Sequence, residues 1–177
     1  MADLKLNEPL QLINFMAYGE NNRYYGTVKM TPPKFEYETV EIKGSGIAGS
    51  FNQPVPGQVK SMTTTLNWRA PTEAAVELLA LKVHELKLLA SAQFIDPRTH
   101  ELSTQPIEYL LKAQTLALDA GDYEPSVATN ENVQSECIYV KYKVNGVDKY
   151  EIDKLNYICK INGVDYLEGV RKDLGLS

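Results

Sequence analysis

Three glycines in the first third of the chain have the spacing of a phosphate-binding loop. Gly44, Gly46 and Gly49 form a G-x-G-x-x-G pattern within the stretch GSGIAGSFNQPVPG. In a dinucleotide-binding protein this pattern follows a buried strand, opens a helix and precedes an acidic side chain by about 20 residues. Here the preceding EYETVEI alternates like a half-exposed strand, Pro54 and Pro56 oppose a helix, and the later segment TTTLNWRA contains no acid. We therefore predict a mobile hairpin connection, because glycine favours loops that stay open until a partner orders them.

Residue types that catalyse reactions or bind metals are sparse elsewhere. His84 and His100 are the two histidines, and neither stands in a nucleophile or zinc-hydrolase motif. Cys137 and Cys159 lack C-x-x-C spacing, which argues against a structural zinc site. We predict that both are buried free thiols rather than a disulfide. The sequence thus predicts a protein that is not an enzyme and uses no cofactor.

Two further sets of side chains permit functional alternatives. The acid pairs Glu36 with Glu38 and Glu151 with Asp153 could act as acid and base, but same-face carboxylates on strands are usually a solvated surface. Trp68 and the tyrosines could form a sugar-binding platform, although alternating aromatics in a β protein more often form a core or a subunit interface. A monomeric carbohydrate-binding β-sandwich therefore stays open as an alternative.

Length and charge narrow the class of protein. A chain of 177 residues fits one domain, and we expect a single domain over residues 1–177. The formal net charge of -5, with 18 scattered Lys and Arg, opposes a firm grip on nucleic acid. The N-terminus has no signal-like segment and no apolar run reaches membrane length, so we expect synthesis in the cytoplasm and no stable membrane insertion.

The elements that would position these residues are mostly strands. Residues 10–18 and 24–30 are predicted to form a hairpin, and residues 34–42 to pair with residues 59–68, where Met62, Thr64, Leu66 and Trp68 alternate with polar residues. Residues 86–95 and 107–118 are predicted as a long strand pair.

The helices and the C-terminal third have clearer signals. A helix is predicted to begin at Pro71 and Thr72, to bury a stripe of Val76, Leu79, Ala80 and Val83, and to end near His84. Asn145-Gly146 predicts a tight hairpin, and a change of apolar phase predicts a bulge or bend near Asp153 and Lys154. A short C-terminal helix is expected to turn Leu167, Val170 and Leu174 inward.

The order of these pieces resembles one known family. The C-terminal run YEIDKLNYICKINGVDYLEGVRKDLGL, with Asp153, Asn162, Gly163, Asp165 and Arg171, is similar to the ends of major tail tube proteins of contractile P2-like phages and phage-tail-like bacteriocins. The N-terminal INFMAYGENNRYYGTVKMTPPKFEYE and the glycine cluster after the next strand also resemble that family.

The resemblance implies a tail-tube fold and a structural function. The fold is mainly β, with two antiparallel sheets packed crosswise as a sandwich or partial barrel, one flanking helix and a short C-terminal helix. Six copies would form a ring, and stacked rings would form the hollow inner tube of a contractile tail. An extended hairpin at about residues 41–58 would reach the neighbouring ring, and the residues implied in this contact are Gly44, Ser45, Gly46, Ile47, Gly49, Phe51, Asn52, Pro54, Pro56 and Gly57.

The same resemblance implies partners and a location. The tube would assemble with a sheath, a baseplate or tube initiator, a tape measure and a tail terminator, in a virion or bacteriocin particle. DNA would be only non-specific cargo in the lumen, and Glu36, Glu38 and Glu108 are candidates for the lumen or the outer surface. A type VI secretion-like tube protein is an alternative of the same architecture.

Overall fold

Antiparallel strands make up most of the chain that the structure describes, which is residues 8–26 and 29–176 of a computed structural model. The two α-helices in this part are α1 (Glu73–Leu78) and α2 (Glu168–Asp173). The strands are β1 (Glu8–Tyr18), β2 (Lys29–Thr31), β3 (Tyr37–Lys43), β4 (Ser50–Val59), β5 (Thr63–Asn67), β6 (His84–Ile95), β7 (Leu102–Asp119), β8 (Asn132–Val144), β9 (Val147–Asp153), β10 (Ile158–Ile161) and β11 (Val164–Asp165).

Within the described residues, nine strands form one sheet that branches along β8. The main path runs β1-β6-β7-β8-β9-β10-β11, while β5 pairs with the first part of β8 and β2 pairs with β5. The branches separate where Cys137 N donates to Met62 O and Lys154 N donates to Ile138 O. The hairpin of β3 and β4 forms a second, two-stranded sheet. The prediction of a mainly β protein with antiparallel sheets and two short helices is therefore confirmed, although the sheets are very unequal in size.

The core lies against β5, as its alternating sequence predicts. Met62, Thr64, Leu66 and Trp68 are all buried, and they pack with apolar residues of β6, β7 and β8. The Trp68 ring is only 1% exposed and its Nε1 donates to Tyr25 O at 2.6 Å. Trp68 is therefore a core residue, and the alternative prediction that it forms part of a sugar-binding platform is wrong.

Helix α1 begins where it is predicted to begin but buries a different face. Thr72 caps it by accepting a hydrogen bond from Ala75 N at 3.2 Å. Ala74, Ala75 and Leu78 are buried, whereas Val76, Leu79 and Val83 of the predicted stripe are exposed. The predicted stripe is wrong because the helix has only six residues and the chain turns before β6.

His84 does not end the helix. It is the first residue of β6, it is buried, and its Nε2 lies 3.0 Å from Ala80 O. No helix among residues 8–26 and 29–176 combines the length and apolar character needed to cross a bilayer.

Two predicted strand pairings are wrong. Strand β3 pairs with β4 rather than with residues 59–68, and β5 pairs instead with β2 and β8. Strand β1 pairs with β6, and its predicted mate contributes a single bridge between Tyr18 and Tyr24 within the described residues. Part of that mate, residues 27 and 28, lies outside them. The first error arises because β4 contains Pro54 and Pro56 and is predicted as part of a loop rather than as a strand. The second arises because β1 pairs with β6, which lies far along the chain and shares no turn with it.

The long central hairpin and the C-terminal hairpin are confirmed. Strands β6 and β7 stay in register from His84 opposite Ala113 to Ile95 opposite Leu102. Asn145 and Gly146 both have positive φ, 52° and 73°, as a two-residue type I′ turn requires. The expected bend is also present, since β9 ends at Asp153 and a turn leads to β10. Helix α2 forms, but Val170 and Leu174 are exposed and only Leu167 before it is buried.

Candidate assembly surfaces

The predicted loop at residues 41–58 is a two-stranded hairpin for most of its length. Gly44, Ser45, Gly46, Ile47 and Gly49 lie in the turn between β3 and β4, where the three glycines have φ of 154°, 93° and 107°. The Ile47 N–H donates to Gly44 O at 3.2 Å, and the Gly49 N–H donates to Ile47 O at 3.0 Å. The remaining residues implied in the contact, all of them within β4, are Phe51, Asn52, Pro54, Pro56 and Gly57.

This hairpin has one apolar and one polar face. Ile42 lies opposite Phe51 and Val40 opposite Gln53, which places Val40, Ile42 and Phe51 on one side, called here the apolar hairpin face. Glu41 opposite Asn52 lies on the other side. Val40 is 53% exposed and Phe51 is 50% exposed. An exposed hairpin with an apolar face is marginally stable alone, so this surface is suited to burial against a partner.

The base of the hairpin is tied to the body of the protein through a glycine. Between Tyr37 opposite Val59 and Thr39 opposite Pro54 the register shifts, because β4 contains extra residues there. Gly57 lies in this irregular part with φ of +70°, and a Cβ at this position would lie 2.2 Å from Leu167 Cδ2. Only glycine fits the conformation and the space.

The C-terminal residues of the family resemblance hold Leu167 in that position. Asp165 Oδ1 accepts a hydrogen bond from Leu167 N at 3.1 Å, and its Oδ2 accepts one from Arg171 at 2.6 Å. Arg171 also donates to Tyr157 O at 2.6 Å. These contacts join the turn before β10, strand β11 and helix α2 around Leu167, so that Asp165 and Arg171 act as positioning residues for the hairpin base.

The other residues of the C-terminal motif build turns. Asp153 Oδ1 accepts hydrogen bonds from the backbone N–H groups of Leu155 and Asn156, both at 3.0 Å. This arrangement produces the bend after β9. Asn162 and Gly163 have φ of 49° and 84° and form the turn between β10 and β11.

Loss of the Asp165 to Arg171 contact should appear as a pH-dependent loss of stability. The hydrogen bond from Arg171 lowers the pKa of Asp165 below its ordinary value of 3.8, so this carboxylate stabilises the fold above that pH and loses its contribution as pH falls through the lower folded value. We expect Arg171→Met to lower the melting temperature most at pH 7, with a smaller deficit at pH 3. Thermal melts of Lys172→Met, which removes the exposed pair of Lys172 with Glu168, are the matched control and should show little change. Equal deficits at both pH values would contradict this account of Asp165.

The three candidate acids occupy different environments. Glu36 lies 2.7 Å from Lys34 Nζ and 2.8 Å from Lys60 Nζ, and hydrogen bonds from these lysines lower its pKa to about 2. Glu108 lies between Lys87 at 3.3 Å and Lys143 at 3.6 Å. Glu38 is exposed, on the same side of β3 as Val40. Two of the three acids are therefore balanced by neighbouring lysines.

Glu108 belongs to a wider charged surface on the sheet. On β7 it alternates with core residues such as Leu111, and it shares its side of the sheet with residues of β6, β8 and β9. We call this surface the charged sheet face. Its ion pairs join Lys87 with Glu108, Lys143 with Glu108, Lys112 with Glu85, and Lys141 with Asp148 and Glu151.

The two cysteines are buried free thiols, as predicted. Cys137 and Cys159 are both fully buried and unpaired with each other. Burial, with a contribution from Glu136, raises the pKa of the Cys137 thiol to about 12, so this sulfur stays protonated and unreactive at neutral pH. In the described part of the chain, no three His, Cys, Asp or Glu side chains are grouped as metal ligands would be.

Sequence reasoning missed two features of these surfaces. Val40 and Ile42 were not recognised as half of an apolar face, although their alternation with Glu41 and Lys43 indicates it. The role of Gly57 as a contact for Leu167 has no local signal, because 110 residues separate the two positions. Only the folded structure brings them together.

The arrangement of strands defines a class of protein. The chain superposes on the sheath/tube terminator of an extracellular contractile injection system, PVC, with a TM-score of 0.55 and 13% identity, over 78% of this chain and 99% of that one. It also superposes on the tube-terminating cap of the anti-feeding prophage with a TM-score of 0.52 and 13% identity, over 73% of this chain and 87% of that one. Its fold is therefore that of tube and terminator proteins of contractile injection systems.

Sequence comparison gives the family. The family model for phage tail tube protein FII matches residues 9–175. The tail tube protein of Escherichia phage P2 is 27% identical over 172 residues, covering 94% of this chain and 96% of the relative. The chain belongs to the phage tail tube protein FII family, and it is a structural protein of the tail tube of a phage or a tail-like particle.

Proposed function

We propose that six copies of this chain close into a ring and that rings stack into the hollow inner tube of a contractile tail. The edge of β1 away from β6 supports ring closure, because among the described residues it is paired only near its C-terminal end, by the Tyr18–Tyr24 bridge, and is otherwise open. Leu12, Ile13 and Met16 along this strand are each about half exposed. An edge that is open over most of a strand invites aggregation unless a neighbouring copy pairs with it.

The apolar hairpin face is the observation that carries the stacking step. Its Val40 and Phe51 side chains are half exposed at the end of a ribbon held at its base by Gly57 and Leu167. Insertion into an adjacent ring would bury this face. The glycines of the turn keep the tip adaptable until the neighbour orders it, so that growth depends on a template.

The charged sheet face is proposed to line the channel. It is the polar side of the long strands, and its lysines and acids alternate, so that Glu108 is held between Lys87 and Lys143. Such a balanced lining neither grips a polyanion nor repels it strongly, which would let DNA or ions pass as non-specific cargo. Glu36, at the hairpin base, is proposed to lie away from the channel.

The remaining proposals concern partners and particle. A sheath, a baseplate or tube initiator, a tape measure and a tail terminator are the proposed partners, and a virion or bacteriocin particle is the proposed location. The sheath/tube terminator on which this chain superposes supports the sheath and the terminator as partners. The protein is proposed to act through assembly alone, without catalysis or a cofactor.

Negative-stain electron microscopy of the concentrated purified protein tests this function. Hollow tubes or six-fold rings are the expected result. A monodisperse monomer at all accessible concentrations, also when pre-formed tail baseplates are added as templates, would contradict the proposal.

A further inference from the structure

An open apolar cleft lies on the core side of the large sheet, and none of its lining residues belongs to the β3–β4 hairpin. It has a volume of about 360 Å³, and Lys29 stands at its rim. The side chains that line it include Leu12, Phe15, Met30, Pro32, Ile107 and Tyr109. This volume is many times the share of one water, about 30 Å³, and is large enough for an aromatic ring with an aliphatic neighbour. A lining of this kind favours an apolar occupant.

We propose that this cleft receives the apolar hairpin face of a second copy of the chain. The inference rests on the proposed stacking of rings and adds the acceptor for the hairpin. The hairpin supplies Phe51, Ile42 and Val40 on one side of a ribbon. On that same side of β3, Glu38 stands next to the apolar residues and would face Lys29 at the rim of the cleft. Apolar surface and charge are therefore both complementary.

A row of aromatic rings connects the cleft to the hairpin of its own chain. Tyr109 and Tyr142, which line the cleft, have centroids 4.6 Å apart, and Tyr142 stacks on Tyr150 at 5.1 Å. Tyr150 then meets Phe35 at 6.1 Å, and Phe35 meets Tyr37, the first residue of β3, at 4.8 Å. The apolar hairpin face and the cleft are thus two different surfaces of one chain, and the row of aromatic rings connects them. Distinct surfaces of this kind make a head-to-tail contact that repeats without closing, as a tube requires.

Cysteine crosslinking in assembled tubes tests the inference. One set of chains carries Gln53→Cys, on the apolar side of the hairpin opposite Val40, and a second set carries Lys29→Cys at the rim of the cleft. The two sets are mixed, assembled and treated with a short bis-maleimide. Asn52→Cys, one residue away on the polar side, is the matched control. The native thiols are buried and add little background. We expect a crosslinked dimer from Gln53→Cys with Lys29→Cys and its loss with Asn52→Cys.

The outcomes separate this inference from the function on which it rests. The cleft is overturned as the acceptor if the wild-type protein forms tubes but Gln53→Cys with Lys29→Cys gives no crosslinked dimer. It is also overturned if Asn52→Cys with Lys29→Cys crosslinks equally well. Either result leaves the tube function intact. Absence of rings and tubes from the wild-type protein, seen in the same micrographs, would overturn the proposed function and this inference with it.

Discussion

Replacement of residues 41–52 by a two-residue Asn-Gly turn is expected to give a folded monomer that forms no tubes at concentrations at which the wild type assembles. The change joins Val40 to Gln53, which are already opposite each other, and removes Ile42 and Phe51 from the apolar hairpin face. Burial of these two side chains in a neighbouring ring should together contribute about 3 kcal/mol for each hairpin. Its loss raises the concentration needed for assembly about a hundredfold. Circular dichroism checks the fold, and sedimentation with electron microscopy measures assembly.

The matched control keeps the hairpin length and the apolar face. Glu41→Ser combined with Asn52→Ser changes only the opposite, polar side of the ribbon. We expect this variant to assemble at concentrations close to those of the wild type. Normal tubes from the shortened hairpin would show that rings stack through another surface.

Gly57→Ala is expected to be the most damaging single substitution in the hairpin. An alanine at φ of +70° costs about 1 kcal/mol, and the overlap of its Cβ with Leu167 adds about 1–3 kcal/mol. For a protein of this length, the melting temperature should fall by about 5–15 °C. Assembly should also fail, because the base of the hairpin loses its fixed position. Thermal melts and tube formation are the measurements.

Gly46→Ala separates backbone strain from crowding. Gly46 also has positive φ, 93°, but a Cβ there would meet no atom within 4 Å. We expect a smaller loss of stability and a protein that still assembles. If Gly46→Ala and Gly57→Ala lowered the melting temperature equally, the contact with Leu167 would have no special importance.

Local signals in the sequence predicted much of the fold. Asn145-Gly146 and the alternation of Met62 to Trp68 depend on neighbouring residues, since turn geometry and the two faces of a strand are local properties. The start of α1 at Thr72 is predictable for the same reason, because a capping side chain acts within one turn. The rejection of a phosphate loop also follows locally, since the glycines lead into β4 rather than into a helix.

Strand partners and the hairpin base could not be predicted in this way. The partner of β1 lies beyond residue 80, and its choice depends on burial summed over the whole sheet rather than on any turn. Helix α1 was assigned the wrong face because it ends after six residues, before a full stripe can form. The candidate acids are identified by strand position, but three of their lysine partners lie far away in the sequence: Lys60 beside Glu36, and Lys87 and Lys143 beside Glu108. The contact of Gly57 with Leu167 is equally non-local.

A cryo-electron microscopy reconstruction of the assembled protein tests the central claim most directly. We expect a hollow tube of stacked six-fold rings in which each β3–β4 hairpin crosses to the adjacent ring and buries Val40, Ile42 and Phe51. A tube in which residues 40–53 remain in solvent, or an assembly without stacked rings, would contradict it.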